Sequence, residues 1–396
     1  MIKKTVLKNG VIVITEKNDN KNLGACLSLN AGGVYESSEL WGISHFVEHL
    51  MFDDNSFEIE KEGGYTNGCT FKDNVIYMAA LPKEKWTVAI DFLYEVTSKK
   101  SFCKERIELE KKIVIDEYIG FEEYRIPTFF KELFTRIFKG MFNKDSIGTE
   151  KTINSFTPKI VDTHINNFYQ PDNMVLSVAG NVEHKDVVAY AKKTFGKLEG
   201  KCKIKDQIKA SECVLSDTFI DSHNIQSKFA LIYKGVSYED NLRLRIIQEL
   251  TRVILGVGIS SRLHQMTRAL GLGYVFQASS ISFSKIGYFN IYGRIDPSML
   301  DKSISVCRKL LHSMKVNISE EDLERAKKHL KYSYYEEGSS VIDSSIRNST
   351  NYLAYGKLES EEEYMQTLNS ITLDSVYAFT RKYFAGEANV FAEKVD

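Results

Sequence analysis

The most constraining feature of the sequence is a short pattern that occurs near the end of each half of the chain. Residues 152–157 read TINSFT and residues 367–372 read TLNSIT, and the apolar and aromatic positions that follow have the same spacing in both places. Self-similarity with preserved spacing indicates that one structural unit occurs twice. A chain of 396 residues also exceeds what a single hydrophobic core usually organises. We therefore expect two similar domains that arose from an internal duplication.

Each half of the sequence combines strand patterns with helix patterns. The first half opens with an Asn9-Gly10 pair between β-branched residues, which predicts a hairpin over residues 5–15. Residues 65–81 and 274–295 are rich in strand formers, and each segment leads into a proline that starts a helix. We therefore expect the α+β class, with each domain built as a mainly antiparallel sheet that has helices packed on it.

The boundary between the two domains is predicted from a local change in composition. Residues 200–211 are rich in charged side chains and lie between the two copies of the repeated unit. Domain boundaries usually fall in such polar connecting segments. We place the first domain at residues 1–205 and the second at residues 206–396.

Charge and composition exclude several classes of protein. Lys plus Arg number 52 against 53 for Asp plus Glu, so the net charge of -1 gives the whole chain no attraction for nucleic acid or anionic lipid. The six cysteines form no CxxC pair, which favours reduced thiols in the core over a disulfide framework. No apolar run is long enough to cross a membrane. We expect a cytoplasmic chain that binds neither membranes nor nucleic acid.

The strongest chemical signal is the pentapeptide His45-Phe-Val-Glu48-His49, which lies in a predicted helix. A separation of four residues sets both imidazoles on one helix face, close enough to share one ion. Neutral imidazole nitrogens suit Zn²⁺, and a hydrolytic zinc site needs a third protein ligand and one open position for water. Glu48 lies on the neighbouring stripe of the helix, where a carboxylate can take a proton from that water.

A third ligand is expected on the predicted helix over residues 104–119, which is rich in acidic side chains. Glu110 and Glu117 are seven residues apart and therefore lie on one face, so that one could bind a metal while the other holds a ligating histidine. From spacing alone, Asp116 and Glu108 remain alternative ligands.

Motifs spread along nearly the whole chain resemble those of one peptidase family. They are GGVYES before the pentapeptide, GGYTNGCT at residues 63–70, the Glu110-to-Glu117 spacing, YQPDNMVLSVAGNV at 169–182 and SRLHQMTRALGLGY at 261–274. Together with the HxxEH pentapeptide they resemble the inverted-motif zinc peptidases, the family of pitrilysin, insulin-degrading enzyme and the mitochondrial processing peptidases. The chain is most similar to the short, two-domain bacterial members.

This resemblance assigns roles to the residues of the metal site. It implies that His45, His49 and Glu117 bind one zinc ion per chain, that Glu48 is the general base, and that Glu110 supports the site. The assignment narrows the choice of third ligand that spacing alone leaves open.

The resemblance also implies substrate-binding residues. Asn67 is expected on a strand beside the metal, where an extended peptide can pair as an added strand. Arg268 and Tyr274 resemble the Arg and Tyr with which the family clamps its substrate, although their interval is one residue shorter here than is usual. Gly68 stands where the family has alanine.

The function implied is that of a zinc-dependent endopeptidase acting on peptides or extended polypeptide segments. An alternative is a non-catalytic scaffold or partner subunit, since the family includes inactive subunits; a protein that only sequesters metal would have no use for Glu48. Longer relatives surround the peptide with four domains, so a two-domain chain is expected to pair with a second chain. A homodimer or a heterodimer with a related chain would meet that need.

Overall fold

The computed structural model describes residues 2–52, 56–123, 125–204, 216–222, 224–272 and 275–395. The chain forms two compact units. The first comprises Met1–Lys131, Gly140–Lys209 and Glu336–Ser360, and the second comprises Glu132–Lys139, Ala210–Tyr335 and Glu361–Asp396. The domain boundary predicted between residues 205 and 206 lies outside the described residues and stays a prediction.

The first unit is built around one sheet with helices packed on it. Its strands are β1 (Ile2–Val6), β2 (Ile12–Lys17), β3 (Asn22–Leu29), β4 (Tyr65–Thr70), β5 (Val75–Pro82) and β6 (Met174–Gly180). Its helices are α1 (Ile43–Met51), α2 (Ser56–Lys61), α3 (Trp86–Ser98), α4 (Lys104–Glu123), the first part of α5 (Arg125–Ile137), α6 (Glu150–Ser155), α7 (Pro158–Phe168), α8 (His184–Lys193) and α13 (Val341–Tyr355).

The second unit follows the same plan. Its strands are β7 (Thr218–Ser222), β8 (Ser227–Gly235), β9 (Val275–Ser282), β10 (Gly287–Ile295) and β11 (Asn389–Val395). Its helices are α9 (Leu242–Gly256), α10 (Arg262–Ala269), α11 (Leu300–Ser313), most of α12 (Glu320–Ser339), α14 (Glu361–Asn369) and α15 (Leu373–Tyr383).

The two sheets have matching topology. The described strands of the first sheet have the order β1-β2-β6-β3-β5-β4, and those of the second have the order β7-β11-β8-β10-β9. In each sheet one pair is parallel, β2 with β6 and β7 with β11, while the other described pairs are antiparallel. The predicted α+β class, with two similar and mainly antiparallel sheets, is confirmed.

The repeated hexapeptide starts equivalent helices in the two units. The hydroxyl of Thr157 accepts from the backbone N–H of Ile160 at the start of α7, and the hydroxyl of Thr372 accepts from the N–H of Ser375 at the start of α15. Both threonines are therefore N-caps, the role in which Thr stabilises a helix.

The first hairpin is present, but its connection is longer than the predicted two residues. The hairpin closes at Leu7 and Val11, because the N–H of Leu7 donates to the carbonyl oxygen of Val11 at 2.8 Å, and residues 8–10 form the connection. Asn9 lies within this turn, where the N–H of Gly10 donates to the carbonyl oxygen of Leu7 at 3.0 Å, and its side-chain amide donates to the carbonyls of Phe195 and Leu198, 2.9 Å away in both cases. Gly10 takes a left-handed conformation there, with φ of 99°.

The cysteines partly match the expectation of reduced core thiols. Five of them are free, but only Cys26 and Cys307 are buried, and Cys103 is exposed. Cys213 lies outside the described residues. Within the described ranges, no helix is both long enough and apolar enough to cross a membrane.

Helix α13 packs across β3 and β6 of the first unit although it comes from the second half of the chain. Fully buried Ser28 of β3 donates to Ser349 of α13 at 2.8 Å, and Asn348 donates to Glu16 at 2.6 Å. The backbone of Val341 comes so close to Gly24 that a Cβ there would overlap its carbonyl oxygen. The absence of a side chain at position 24 is therefore a condition for this packing.

We expect Gly24→Ala to destabilise the protein by about 1–3 kcal/mol, because the added methyl group meets backbone atoms that cannot rotate away. Urea unfolding followed by circular dichroism measures the effect. Gly338→Ala is the matched control, because no atom lies within 4 Å of the Cβ that it would add. Equal stability of Gly24→Ala and the native chain would contradict the packing of α13 described here.

Candidate metal centre

Helix α1 carries the HxxEH pentapeptide and is held between the sheet and its neighbours by its apolar face. Phe46, Val47 and Leu50 are fully buried in the core of the first unit. Because these three positions point inward, the two histidines at positions 45 and 49 share the opposite stripe and face a cleft. The predicted placement of both imidazoles on one face follows from this amphipathic pattern.

Helix α4 brings acidic side chains to the same cleft. Its buried residues Ile107 and Val114 anchor it in the core of the first unit. Glu110 and Glu117, seven residues apart, both line the cleft, as do Ile113 and Phe121 of the same helix surface. The carboxylates therefore reach the histidines from a second rigid element, as the spacing predicted.

Three side chains converge closely enough to hold one ion. One oxygen of Glu117 lies 3.5 Å from Nε2 of His45 and 3.2 Å from Nε2 of His49. One donor atom from each residue can be chosen such that all three lie within 4.8 Å of one another. Two imidazole nitrogens and one carboxylate form the donor set of many catalytic zinc sites.

Glu110 contacts the site from behind His49. Its Oε1 lies 3.1 Å from Nδ1 of His49, the ring nitrogen turned away from Glu117, and its side chain is only 4% exposed. A carboxylate that accepts from the outer nitrogen of a ligating histidine fixes the orientation of the ring. Glu108, the alternative on the same helix, has its side chain about half exposed and pairs with Lys111 instead.

Arg106 belongs to this arrangement, although it is not among the site residues predicted from the sequence. Its Nη2 lies 3.0 Å from Oε2 of Glu110, an ion pair one helical turn apart, and 3.3 Å from the carbonyl oxygen of Phe52 at the end of α1. The i,i+4 spacing from Glu110 is the signal in the sequence that could have identified it.

The charges of the cluster show that it is suited to a cation. Burial lowers the pKa of His45, so its imidazole is neutral and able to bind a metal. Burial alone would also lower the pKa of His49, but Glu110 and Glu117 outweigh it and raise the pKa to about 10. The hydrogen bond from His49 in turn lowers the pKa of Glu117. The proton between Nε2 of His49 and Glu117 occupies the place that a divalent cation would take.

Glu48 lies in the same cleft but outside the cluster of three. Its carboxyl is buried, which raises its pKa to about 7, and its Oε2 accepts from the hydroxyl of Thr70 at 3.3 Å. Gly68 lies against it, and a Cβ at that position would overlap the carboxyl and the ring of Phe52. Strand alternation puts Thr70 and Gly68 on one face, which is how the sequence could have indicated Thr70.

The cleft has a volume of about 950 Å³, and strand β4 forms one of its walls. β4 is the edge of the described sheet, so one side of its backbone has no neighbouring strand. Asn67 is exposed on this strand, and its Oδ1 accepts from the backbone N–H of Gly68 at 2.9 Å. The structure therefore puts Asn67 on a strand beside the histidines.

The residues predicted to clamp a substrate belong to the second half of the chain. Arg268 is exposed in the last turn of α10. Tyr274 lies outside the described residues. The clamp roles of both residues stay predictions.

Comparison with known proteins identifies two matched regions. Residues 11–149 match the insulinase model of peptidase family M16, and residues 155–330 match the model of the M16 inactive domain. An uncharacterized zinc protease of Rickettsia felis is 29% identical, over 96% of this chain and 94% of the relative. The β subunit of the mitochondrial-processing peptidase of Caenorhabditis elegans is 26% identical, over 96% of this chain and 86% of the relative.

Solved structures share the fold. A protease from Helicobacter pylori superposes with a TM-score of 0.89 at 18% identity, over 100% of this chain and 99% of that one. An M16-like peptidase from Alicyclobacillus acidocaldarius gives a TM-score of 0.86 at 19% identity, over 100% of this chain and 98% of that one. With both family models matched in sequence order and the resemblance inferred from the motifs confirmed, the chain belongs to the M16 family of peptidases.

Proposed function

We propose that the chain is a zinc-dependent endopeptidase that hydrolyses peptides or extended polypeptide segments. The observation that carries the proposal is the convergence of His45, His49 and Glu117 in a cleft that also contains a buried glutamate. Three protein ligands leave a fourth position for water, as in catalytic zinc sites. The names of the relatives, which include several zinc proteases, support the metal and the class of reaction.

The proposed chemistry is hydrolysis with Glu48 as the general base and one zinc ion per chain. His45, His49 and Glu117 would hold the zinc ion, which would supply a water molecule of lowered pKa and a Lewis acid for the scissile carbonyl group. Glu48 takes the proton of the attacking water and later donates it to the leaving amine. Its hydrogen bond from Thr70 fixes one carboxyl oxygen, which keeps the proton acceptor in a defined position.

The proposed substrate binds as an additional strand along β4. The open edge of β4 offers backbone groups that pair with an extended chain of any sequence, and Asn67 adds a side-chain amide on that strand. Phe52 and Ile113 line the cleft and offer apolar contacts to side chains of the peptide. This mode of binding favours unstructured segments, because a folded protein seldom presents an unpaired strand.

In the second unit, we propose that Arg268 and Tyr274 bind the substrate. A guanidinium group and a phenol can both donate hydrogen bonds to a carbonyl oxygen as it gains negative charge. The exposure of Arg268 at the end of α10 is compatible with this role.

The chain is also proposed to act as a dimer in the cytoplasm. Both the metal-binding residues and the proposed clamp occur in one chain, which favours a homodimer closed by two-fold symmetry. The second candidate is a non-catalytic or partner subunit of a heterodimer. The relatives named as β subunits of mitochondrial-processing peptidases support this alternative.

The first prediction from the proposed function concerns Glu110, the residue behind His49. Glu110→Gln should weaken zinc binding about 10-fold to 100-fold, because the amide holds the imidazole less well than a carboxylate. Competition with a chromophoric chelator measures the zinc dissociation constant. Glu108→Gln, on the exposed side of the same helix, is the matched control and should bind zinc like the native chain. If Glu108→Gln weakened zinc binding and Glu110→Gln did not, the supporting role would belong to Glu108.

The second prediction separates chemistry from binding. Glu48→Gln should retain zinc and peptide but lose about 10²–10⁴-fold in turnover, because an amide cannot accept the proton of water. Single-turnover cleavage of a mixed peptide library, read by mass spectrometry, gives both the rate and the cut sites. Glu58→Gln, an exposed change in α2, should cleave at the native rate. Native zinc-loaded protein that cuts no peptide would instead favour the non-catalytic subunit.

The third prediction concerns assembly. Light scattering on the purified protein should give about twice the mass of one chain, because the resemblance implies that four domains surround a peptide and each chain supplies two. A monomer that cleaves peptides at an undiminished rate on dilution would contradict the dimer. A monomer that gains activity only with a related chain would support the heterodimer.

A further inference from the structure

The segment that precedes α1 carries a carboxylate that reaches the start of this helix. Glu36 is 3% exposed. Its Oε2 accepts from the backbone N–H of Gly42 at 2.7 Å, and its Oε1 accepts from the N–H of Ser44 at 2.8 Å. The first N–H groups of a helix have no partner within the helix, and the helix dipole favours negative charge there. One side chain thus satisfies two of these donors.

The backbone explains why this carboxylate comes from outside the helix. The usual N-cap position of α1 is Gly42, which has a left-handed φ of 90°. A Cβ at that position would lie 2.6 Å from the carbonyl oxygen of Ile147 and 2.7 Å from Cα of Gly148. These backbone contacts exclude any side chain at position 42, including Ser, Thr, Asn and Asp, which cap most helices, and the left-handed φ adds strain for Ser and Thr. Glu36 supplies the oxygen atoms that position 42 cannot carry.

A second contact holds the same turn of α1. The hydroxyl of Ser44 accepts from the backbone N–H of Gly32 at 2.9 Å and lies 3.4 Å from Nε2 of His164 on α7. Ser44 and His164 are both buried. The first turn of α1 is therefore fixed to the preceding segment and to a neighbouring helix through buried polar groups.

The two histidines of the metal centre are oriented in different ways. His49 has Glu110 behind its outer ring nitrogen. The corresponding atom of His45, Nδ1, is buried and has no hydrogen-bond partner within the part of the chain that the structure describes. His45 is also the third residue of α1, directly after Ser44. No described side chain holds this ring from behind, so its position depends on the first helical turn, from which it projects.

We infer that Glu36 is a positioning residue for the metal centre: its carboxylate fixes the first turn of α1 and thereby the direction of His45. The inference rests on the proposed function, since it concerns the same zinc site. The burial of this group supports it, because burial raises the pKa of Glu36 to about 7 in spite of the two backbone hydrogen bonds. Burying a carboxylate costs free energy, and its hydrogen bonds to backbone N–H groups offset this cost. The position of Glu36 is therefore constrained by the N–H groups of Gly42 and Ser44.

Glu36→Gln tests the inference with a side chain of the same shape. The amide group presents an N–H to one of the two backbone N–H groups, so one hydrogen bond is lost and a repulsive contact replaces it. We expect the dissociation constant for zinc to rise about tenfold, measured by chelator competition at a temperature at which the variant is fully folded. Hydrogen exchange of the metal-free protein should show faster exchange in residues 43–47 than in the native chain.

Ser28→Ala is the matched control, because it removes a buried hydrogen bond from the same unit at a site remote from α1. It should lower stability but leave both zinc affinity and exchange in α1 unchanged. If Glu36→Gln fails to fold, Glu36→Asp replaces it. Asp keeps the charge but is too short to reach both N–H groups, and it should weaken zinc binding at least about threefold.

Three results would overturn the inference. They are native zinc affinity in a folded Glu36→Gln or Glu36→Asp variant, unchanged exchange in α1, and an equal loss of zinc affinity in Ser28→Ala. A native chain that binds no zinc would contradict the proposed function instead. In that case, exchange in α1 of the metal-free protein would still decide whether Glu36 holds the helix.

Discussion

The candidate site depends on the packing of α1 against α4. Neither helix alone supplies enough metal-binding atoms for the candidate site. Helix α1 offers two imidazole nitrogens, and α4 adds the carboxylate of Glu117. Both helices are anchored in one core by fully buried residues, Phe46 and Leu50 on α1 and Ile107 and Val114 on α4. The distances between Glu117 and the histidines are therefore set by apolar packing, which is dense and resists small displacements.

The two units share their sheet topology but differ in the side chains that could bind a metal. Among the described strands, the order β2-β6-β3-β5-β4 of the first sheet matches the order β7-β11-β8-β10-β9 of the second, including the parallel pair, and the first sheet has β1 as an additional edge strand. In the second unit, however, the helix that follows the strand equivalent to β3 is α9, whose residues 242–256 include no histidine. The match of residues 155–330 to a domain described as inactive agrees with this difference. The same fold can keep or lose a metal centre through a few side chains on one helix.

The parts of the site that follow local periodicity could be predicted from the sequence. His45 and His49 are one helical turn apart, and Glu110 and Glu117 are two turns apart, so a helix of 3.6 residues per turn puts each pair on one face. Periodicity could not choose between Glu117 and its neighbours; that choice came from the resemblance to the peptidase family. Roles assigned in that way, including those of Arg268 and Tyr274, stay predictions.

Two contacts that the sequence did not indicate hold the ends of α1. Arg106 reaches the end of α1 at Phe52, and Glu36 reaches the start of α1 from a glycine-rich segment. Neither contact has a sequence spacing that would reveal it, because each depends on where two elements meet in space. The turn of the first hairpin also makes a contact that local sequence does not reveal, since Asn9 hydrogen bonds to the carbonyl oxygens of Phe195 and Leu198. At Gly42 the backbone excludes the usual cap, and Glu36, in the segment before the helix, accepts the hydrogen bonds that an N-cap side chain normally accepts.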